Sequence, residues 1–278
     1  MTRSVPVFVG SALHTRSFPS ARSWVLPGVQ WGEPSTVFTP AYWLYQFWLR
    51  QGSSNRPPDF RSRHGLVSEV VFCMLGGHGI SAEVATAAYE KCRQRKLIER
   101  RTIDMEAWRV ALTAPLQIGQ RVIRYRFPNR KAMQIAAAMR VLDRSIENLV
   151  GLELRAALLR LPGVGWKTAS WIVRNVQGND DVAILDIHIM RAGLLCGLFK
   201  STQHLGRDYL DMESRFLLFA SKLGVRPSIL DGLMWSEMRD SGDLVLRLLQ
   251  ERSMTNRARL GAANGRRNFI VGPTPVRS

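Results

Sequence analysis

From about residue 61 onward, apolar residues recur at three- and four-residue intervals in segments separated by short turn signals, the period of amphipathic helices. This pattern predicts helices near 65–75, 81–94, 104–113, 130–143, 151–160, 166–176, 187–198, 208–223 and 227–239, with a last one near 243–251. Ser81 and Asp104 stand where N-caps belong, and Pro115, Pro128, Pro162 and Pro227 fall where helices should start or stop. Strand signals are nearly absent, so the fold class expected is all-α. Residues 1–60, rich in Pro, Gly, Ser and aromatics, read as a partly irregular N-terminal extension with one helix near 41–50, and Gly52–Pro58 reads as a linker. A helical domain is expected over 61–251, followed by a basic flexible tail over 252–278 that has no acidic residue.

Charge narrows the partner. The chain of 278 residues carries a formal charge of +17 with an isoelectric point near 11.0, which calls for a polyanion. No run approaches the roughly 18 apolar residues of a membrane span, and the basic residues are dispersed, so nucleic acid leads over a membrane surface. Cys73, Cys92 and Cys196 form neither a C-x-x-C pair nor an even set, so no disulfide framework or metal site is signalled and a reducing, intracellular compartment (cytoplasm or nucleoid) is expected. Residues 1–32, without acidic residues and with Arg3, Arg16 and Arg22, leave organellar targeting as a minor alternative.

The chemistry concentrates in residues 152–191. An apolar-periodic segment, then Leu161-Pro162-Gly163-Val164-Gly165, then a second such segment from Trp166 describe two helices joined by a glycine hairpin over 152–176. Unpaired N–H groups at the start of the second helix, with its positive end, suit a phosphate oxygen, so residues 161–165 are the candidate anchor for a DNA backbone. Lys167 lies in the first turn of that helix, where the helix dipole and burial both disfavour the ammonium form; it is either an amine nucleophile or a phosphate contact. Asp186 stands 19 positions beyond it (186 − 167), alone among apolar residues, and reads as a carboxylate partner, a helix cap, or both.

Leu161–Ala169 followed by Ile184-Leu-Asp186-Ile-His188 resembles the signature of the helix-hairpin-helix DNA glycosylases. Lys167–Asn175 and Val182–His188 are most similar to the compact archaeal and bacterial 8-oxoguanine DNA glycosylase/lyases, although an arginine often stands there in place of Ile187. The likeness extends with lower specificity from about 61 to 242, taking in Glu69–Leu75, Arg126–Ala138 and Leu230–Trp235. It implies a two-lobed helical fold with the active site in the cleft between lobes. It further implies base excision from double-stranded DNA, with Lys167 attacking the sugar C1′ and forming a Schiff base, and Asp186 assisting.

A flipped base needs a pocket and a residue that fills the vacated stack. The resemblance points to His78 for the latter, in a Gly76-Gly-His-Gly79 turn that departs from the family's usual Gln- or Asn-containing one, and to Asp231 and Trp235 for the pocket. Trp166 and Trp171 read as core or hairpin support, and His188 as either a DNA-backbone or a polar core contact. No metal or organic cofactor is demanded by this chemistry, no membrane partner is expected, and a monomer is expected. Three alternatives stay open: a glycosylase for another damaged or mismatched base, a non-catalytic DNA-binding protein that keeps the hairpin, and, on charge alone, a membrane-surface or RNA-binding protein.

Overall fold

A computed structural model describes residues 2–51, 61–77 and 79–267, with side chains through 254. Among the described residues, eleven α-helices are joined by three two-stranded antiparallel hairpins. The helices are α1 (Pro40–Gln51), α2 (Gly65–Leu75), α3 (Ala82–Gln94), α4 (Met105–Thr113), α5 (Pro128–Val141), α6 (Gly151–Leu158), α7 (Trp166–Gln177), α8 (Ile187–Cys196), α9 (Tyr209–Leu223), α10 (Pro227–Asp240) and α11 (Gly242–Arg267). Boundaries follow the local chemistry. Ser81 Oγ accepts from Val84 N–H (3.4 Å) and Asp104 Oδ1 from Glu106 N–H (2.9 Å), while Pro128 and Pro227 open α5 and α10. Gly178, Gly197 and Gly224 end α7, α8 and α9 in the left-handed conformation.

Apolar side chains collect in two separate cores. The first runs from Leu66 to Val182 and is built by α2 to α7; the second joins Ala183–Val245, from α8 to α11, with Phe18–Leu44 of the N-terminal segment and α1. Passing from Val182 to Ala183 the chain crosses from one lobe to the other, and α7 and α8 flank that crossing.

The N-terminal residues differ from expectation. Instead of an irregular extension they form β1 (Arg3–Val9) with β2 (Ala12–Phe18), then β3 (Trp24–Leu26) with β4 (Val29–Gln30), then α1. Phe18, Val29, Ala41 and Trp43 are fully enclosed in the second core, so this segment belongs to the second lobe. Tyr42 and Arg50 of α1 bind the Glu237 carboxylate of α10, the tyrosine at 3.1 Å, which couples the segment to the helix that carries Asp231 and Trp235.

The strands have a physical reason. Val5, Val7 and Val9 alternate with Ser4, Pro6 and Phe8, and Gly10, at φ +62°, makes the turn. Pro6, which argues against a central strand, is tolerated in a two-stranded ribbon, where each strand is an edge. A third hairpin, β5 (Leu116–Ile118) with β6 (Arg121–Ile123), turns at Gly119 (φ +58°). At the other end α11 carries the expected flexible segment onward as helix to Arg267, and residues 268–278 lie outside the described residues.

Candidate active site

The hairpin between α6 and α7 is built as the sequence implies. Leu161 and Val164 are buried, anchoring the turn in the first core, while Pro162, Gly163 and Gly165 are exposed. Val164 N–H returns to Leu161 O at 3.1 Å, and Gly165 precedes α7 with no side-chain cap among the described residues. Gly163 is required twice over: its φ is +84°, and a Cβ there would lie 2.9 Å from Gln134 Cβ. Gly163→Ala is therefore expected to cost about 1–2 kcal/mol and to weaken duplex binding, measured by thermal denaturation and by titration of a labelled duplex.

Lys167 enters from the second position of α7, half-buried, with its Nζ 4.2 Å from the centroid of the Trp171 ring. Burial holds its pKa below the ordinary 10.5, against the opposing pull of the Asp186, Cys73 and Asp231 charges. Asp186 caps α8 from the other lobe, its Oδ1 accepting from His188 N–H (2.8 Å) and Ile189 N–H (3.1 Å). Cap and electrostatic partner of Lys167 are thus compatible roles for one carboxylate.

The loop from α7 to Asp186 is held by Asp231 and by groups the sequence did not single out. Arg174 of α7 is ion-paired with Asp231 of α10 and donates to Val182 O (3.1 Å); the same Asp231 oxygen accepts from Ile184 N–H (3.3 Å). Glu213 of α9 binds Ala183 N–H (2.9 Å) and pairs with Arg155 of α6 (2.5 Å). Tyr209 donates its hydroxyl to Ala183 O (2.6 Å) and accepts from Leu185 N–H (3.3 Å), and its ring stacks with Trp166 at 6.1 Å. Both ion pairs are buried and join one lobe to the other, so they fix the relation of Lys167 to Asp186.

Asp231, anticipated in the base pocket, is thus engaged by Arg174 and a backbone amide, with its pKa raised by burial. Removing one member strands the other in a low-dielectric interior. Arg174→Met is expected to cost about 3–5 kcal/mol in denaturant unfolding, and Arg174→Met/Asp231→Leu to cost less than Arg174→Met alone. A double variant more damaged than the single would contradict this assignment.

Trp235 lies beside the catalytic candidates: its ring meets that of His188 at 5.9 Å, and the Arg239 guanidinium covers it at 4.8 Å. His188 Nδ1 is buried without a hydrogen-bond partner among the described residues, and burial lowers the imidazole pKa below 6.5. His78, the expected stack-filling residue, lies outside the described residues. Residues 74–76 are braced by Lys131, whose Nζ donates to Met74 O and to Gly76 O (3.2 Å), and by Tyr125, whose hydroxyl donates to Leu75 O (2.6 Å). Among the described residues no cluster of His, Cys, Asp and Glu could hold a metal ion, and no helix is long and apolar enough to cross a membrane.

Comparison with known proteins converges on one group. Residues 55–225 match the family model described as "Ogg-HhH: 8-oxoguanine DNA glycosylase". The 8-oxoguanine DNA glycosylase/AP lyase of Picrophilus torridus is 34% identical over 119 residues, which is 41% of this chain and 56% of that protein. The protein of the same description from Thermotoga petrophila is 31% identical over 121 residues, 41% of this chain and 58% of its own length. Matching thus spans a little over half the length of these relatives. In overall fold the chain is similar to the solved 8-oxoguanine DNA glycosylase of Methanocaldococcus jannaschii, with a TM-score of 0.51 at 24% identity over 67% of this chain and 85% of that one.

Proposed function

The chain belongs to the helix-hairpin-helix family of 8-oxoguanine DNA glycosylases, matched over more than half its length, and from that membership we propose that it is a bifunctional glycosylase/AP lyase that removes 8-oxoguanine from double-stranded DNA. The reading rests foremost on one arrangement: Lys167 in the first turn of α7, half-buried beside the lobe crossing, with the Asp186 carboxylate capping α8 from the other lobe.

In the proposed reaction the exposed hairpin, residues 161–165, takes a backbone phosphate on the free N–H groups of α7, and the lesion is turned out of the stack. Neutral Lys167 forms a bond from its Nζ to C1′ while the bond from C1′ to the base breaks; the base leaves with the electron pair and takes up a proton. Asp186 stabilises the positive charge that develops on the sugar and accepts the proton lost by the attacking nitrogen. Asp186 returns that proton to O4′ as the C1′–O4′ bond breaks, which opens the sugar ring and leaves an iminium between Nζ and C1′. Loss of a C2′ proton then expels the 3′-phosphate, the strand is cut, and water releases the lysine. Trp235, beside His188 and the Asp186 cap, offers an aromatic face for the extruded base. The formal charge of +17 supplies sequence-independent attraction to the duplex.

A panel of duplexes with a single 8-oxoguanine, uracil, alkylated adenine or G·T mismatch tests this directly. The expected result is release of free 8-oxoguanine and a nick without added alkali, with the other duplexes left largely intact. Preferential cutting of a different member would replace the lesion assignment, and tight binding without cutting of any would leave a non-catalytic hairpin protein.

A further inference from the structure

Lys167, Trp171 and Asn175 follow one another at four-residue spacing on α7 and share one face of that helix, the face packed on α2. Asn175 donates to the buried Glu69 carboxylate of α2 at 2.6 Å, and the Trp171 ring meets Phe72 of α2 edge-on at 6.1 Å. Just past α2, a Cβ on Gly76 would lie 3.1 Å from Trp171 Cζ3, so the indole is seated against bare backbone. The carbonyl of that same Gly76 is bound by Lys131. The indole therefore packs against Phe72 and Gly76, and the Lys167 amine lies over its ring, 4.2 Å from the centroid.

An aromatic face attracts an ammonium and has no such hold on a neutral amine. We propose that Trp171 is a positioning residue for Lys167: its indole face holds the ammonium in place between turnovers and lets the amine go when the proton leaves. The proposal rests on the reading of Lys167 as nucleophile. Charged and titratable groups that act on the amine come from every side: Asp186 at the start of α8, Cys73 of α2 and Asp231 of α10 favour the cation, Lys131 of α5 and His188 of α8 face it as further titratable groups, and burial opposes the cation. Trp171 adds a preference for the cation that a saturated side chain of similar burial lacks.

The test follows borohydride trapping of the protein on an abasic-site duplex, in single turnover, across pH, with duplex affinity and melting temperature measured alongside. For Trp171→Leu the midpoint of the pH profile is expected to move to lower pH by about 0.4–1.5 units, with Trp171→Phe between it and the wild type. The plateau should fall several-fold while duplex affinity changes by about twofold or less. Trp171→Phe, the smaller change, keeps the ordering measurable should the leucine variant not fold. A midpoint unchanged in these variants, with only a lower plateau and melting temperature, makes the indole a packing residue and overturns the proposal. A wild-type protein that gives no adduct overturns the nucleophile reading itself, and the proposal with it.

Discussion

Lys167→Gln is expected to lower cutting of an 8-oxoguanine duplex by roughly 10³-fold or more while leaving duplex affinity within a few-fold of wild type. Glutamine keeps most of the length and the polar end of lysine but supplies no amine, so every step after base departure that depends on the iminium stops. The hairpin contacts of residues 161–165 are backbone contacts and survive. Folding should also survive or improve, because the buried ammonium is disfavoured by its surroundings. With its pKa held below 10.5 in the folded state, this lysine binds fewer protons folded than unfolded between the two values. Its contribution to stability therefore rises with pH across that window. The rate of the wild type should likewise rise with pH as the ammonium loses its proton and level off below 10.5, a limb measurable in single-turnover kinetics. A profile that levels off only at the ordinary lysine value would deny the amine its buried setting.

Asp186→Asn should come next in size, a loss of about 10²–10⁴-fold in the chemical step with little change in stability. The asymmetry follows from the two roles of one side chain. Asparagine caps a helix as well as aspartate, so the bonds to His188 and Ile189 N–H can be kept while the negative charge is lost. Asp186→Ala removes the cap as well and should add about 1 kcal/mol of destabilisation to the same kinetic loss. Asn and Ala variants equal in melting temperature, or an Asn variant of full activity, would show that Asp186 serves the site in some other way.

Much of this was legible beforehand, and the reasons differ by element. The helices from α2 to α10 were readable within a few residues because each carries its own period and its own punctuation, such as Ser81, Asp104 and Pro227. The hairpin before Lys167 and the cap at Asp186 were readable because each is a local pattern. What escaped depends on contacts distant in sequence. Residues 2–51 look like an extension until Phe18 and Trp43 meet the second core, whose other members begin at Ala183. Pro6 masked β1, since only a ribbon without inner strands accepts it. The clamp formed by Arg155, Arg174, Tyr209 and Glu213 escaped because an arginine or glutamate within a helical period reads as solvent-facing. The signal present was that Arg174 is the single charge in Trp171–Val176, amid apolar neighbours, which calls for a buried partner. Asp231 was expected at the base pocket from the resemblance, and its ion pair with Arg174 was not anticipated.

That clamp also bears on the proposed chemistry at the lobe junction. Catalysis by an amine and a carboxylate on different lobes needs their separation fixed to a fraction of an ångström. Hydrogen bonds to Val182, Ala183, Ile184 and Leu185 hold every residue of the approach to Asp186. The arrangement is built from buried pairs, which specify geometry more than they stabilise.

The account turns on which atom attacks the sugar. The protein should be incubated with a duplex carrying one 8-oxoguanine, reduced with borohydride, digested, and the modified peptide located by mass spectrometry. The result predicted is a single DNA adduct on Lys167, absent from Lys167→Gln. Release of 8-oxoguanine with no adduct, or an adduct carried by another amine such as Lys131, would contradict it.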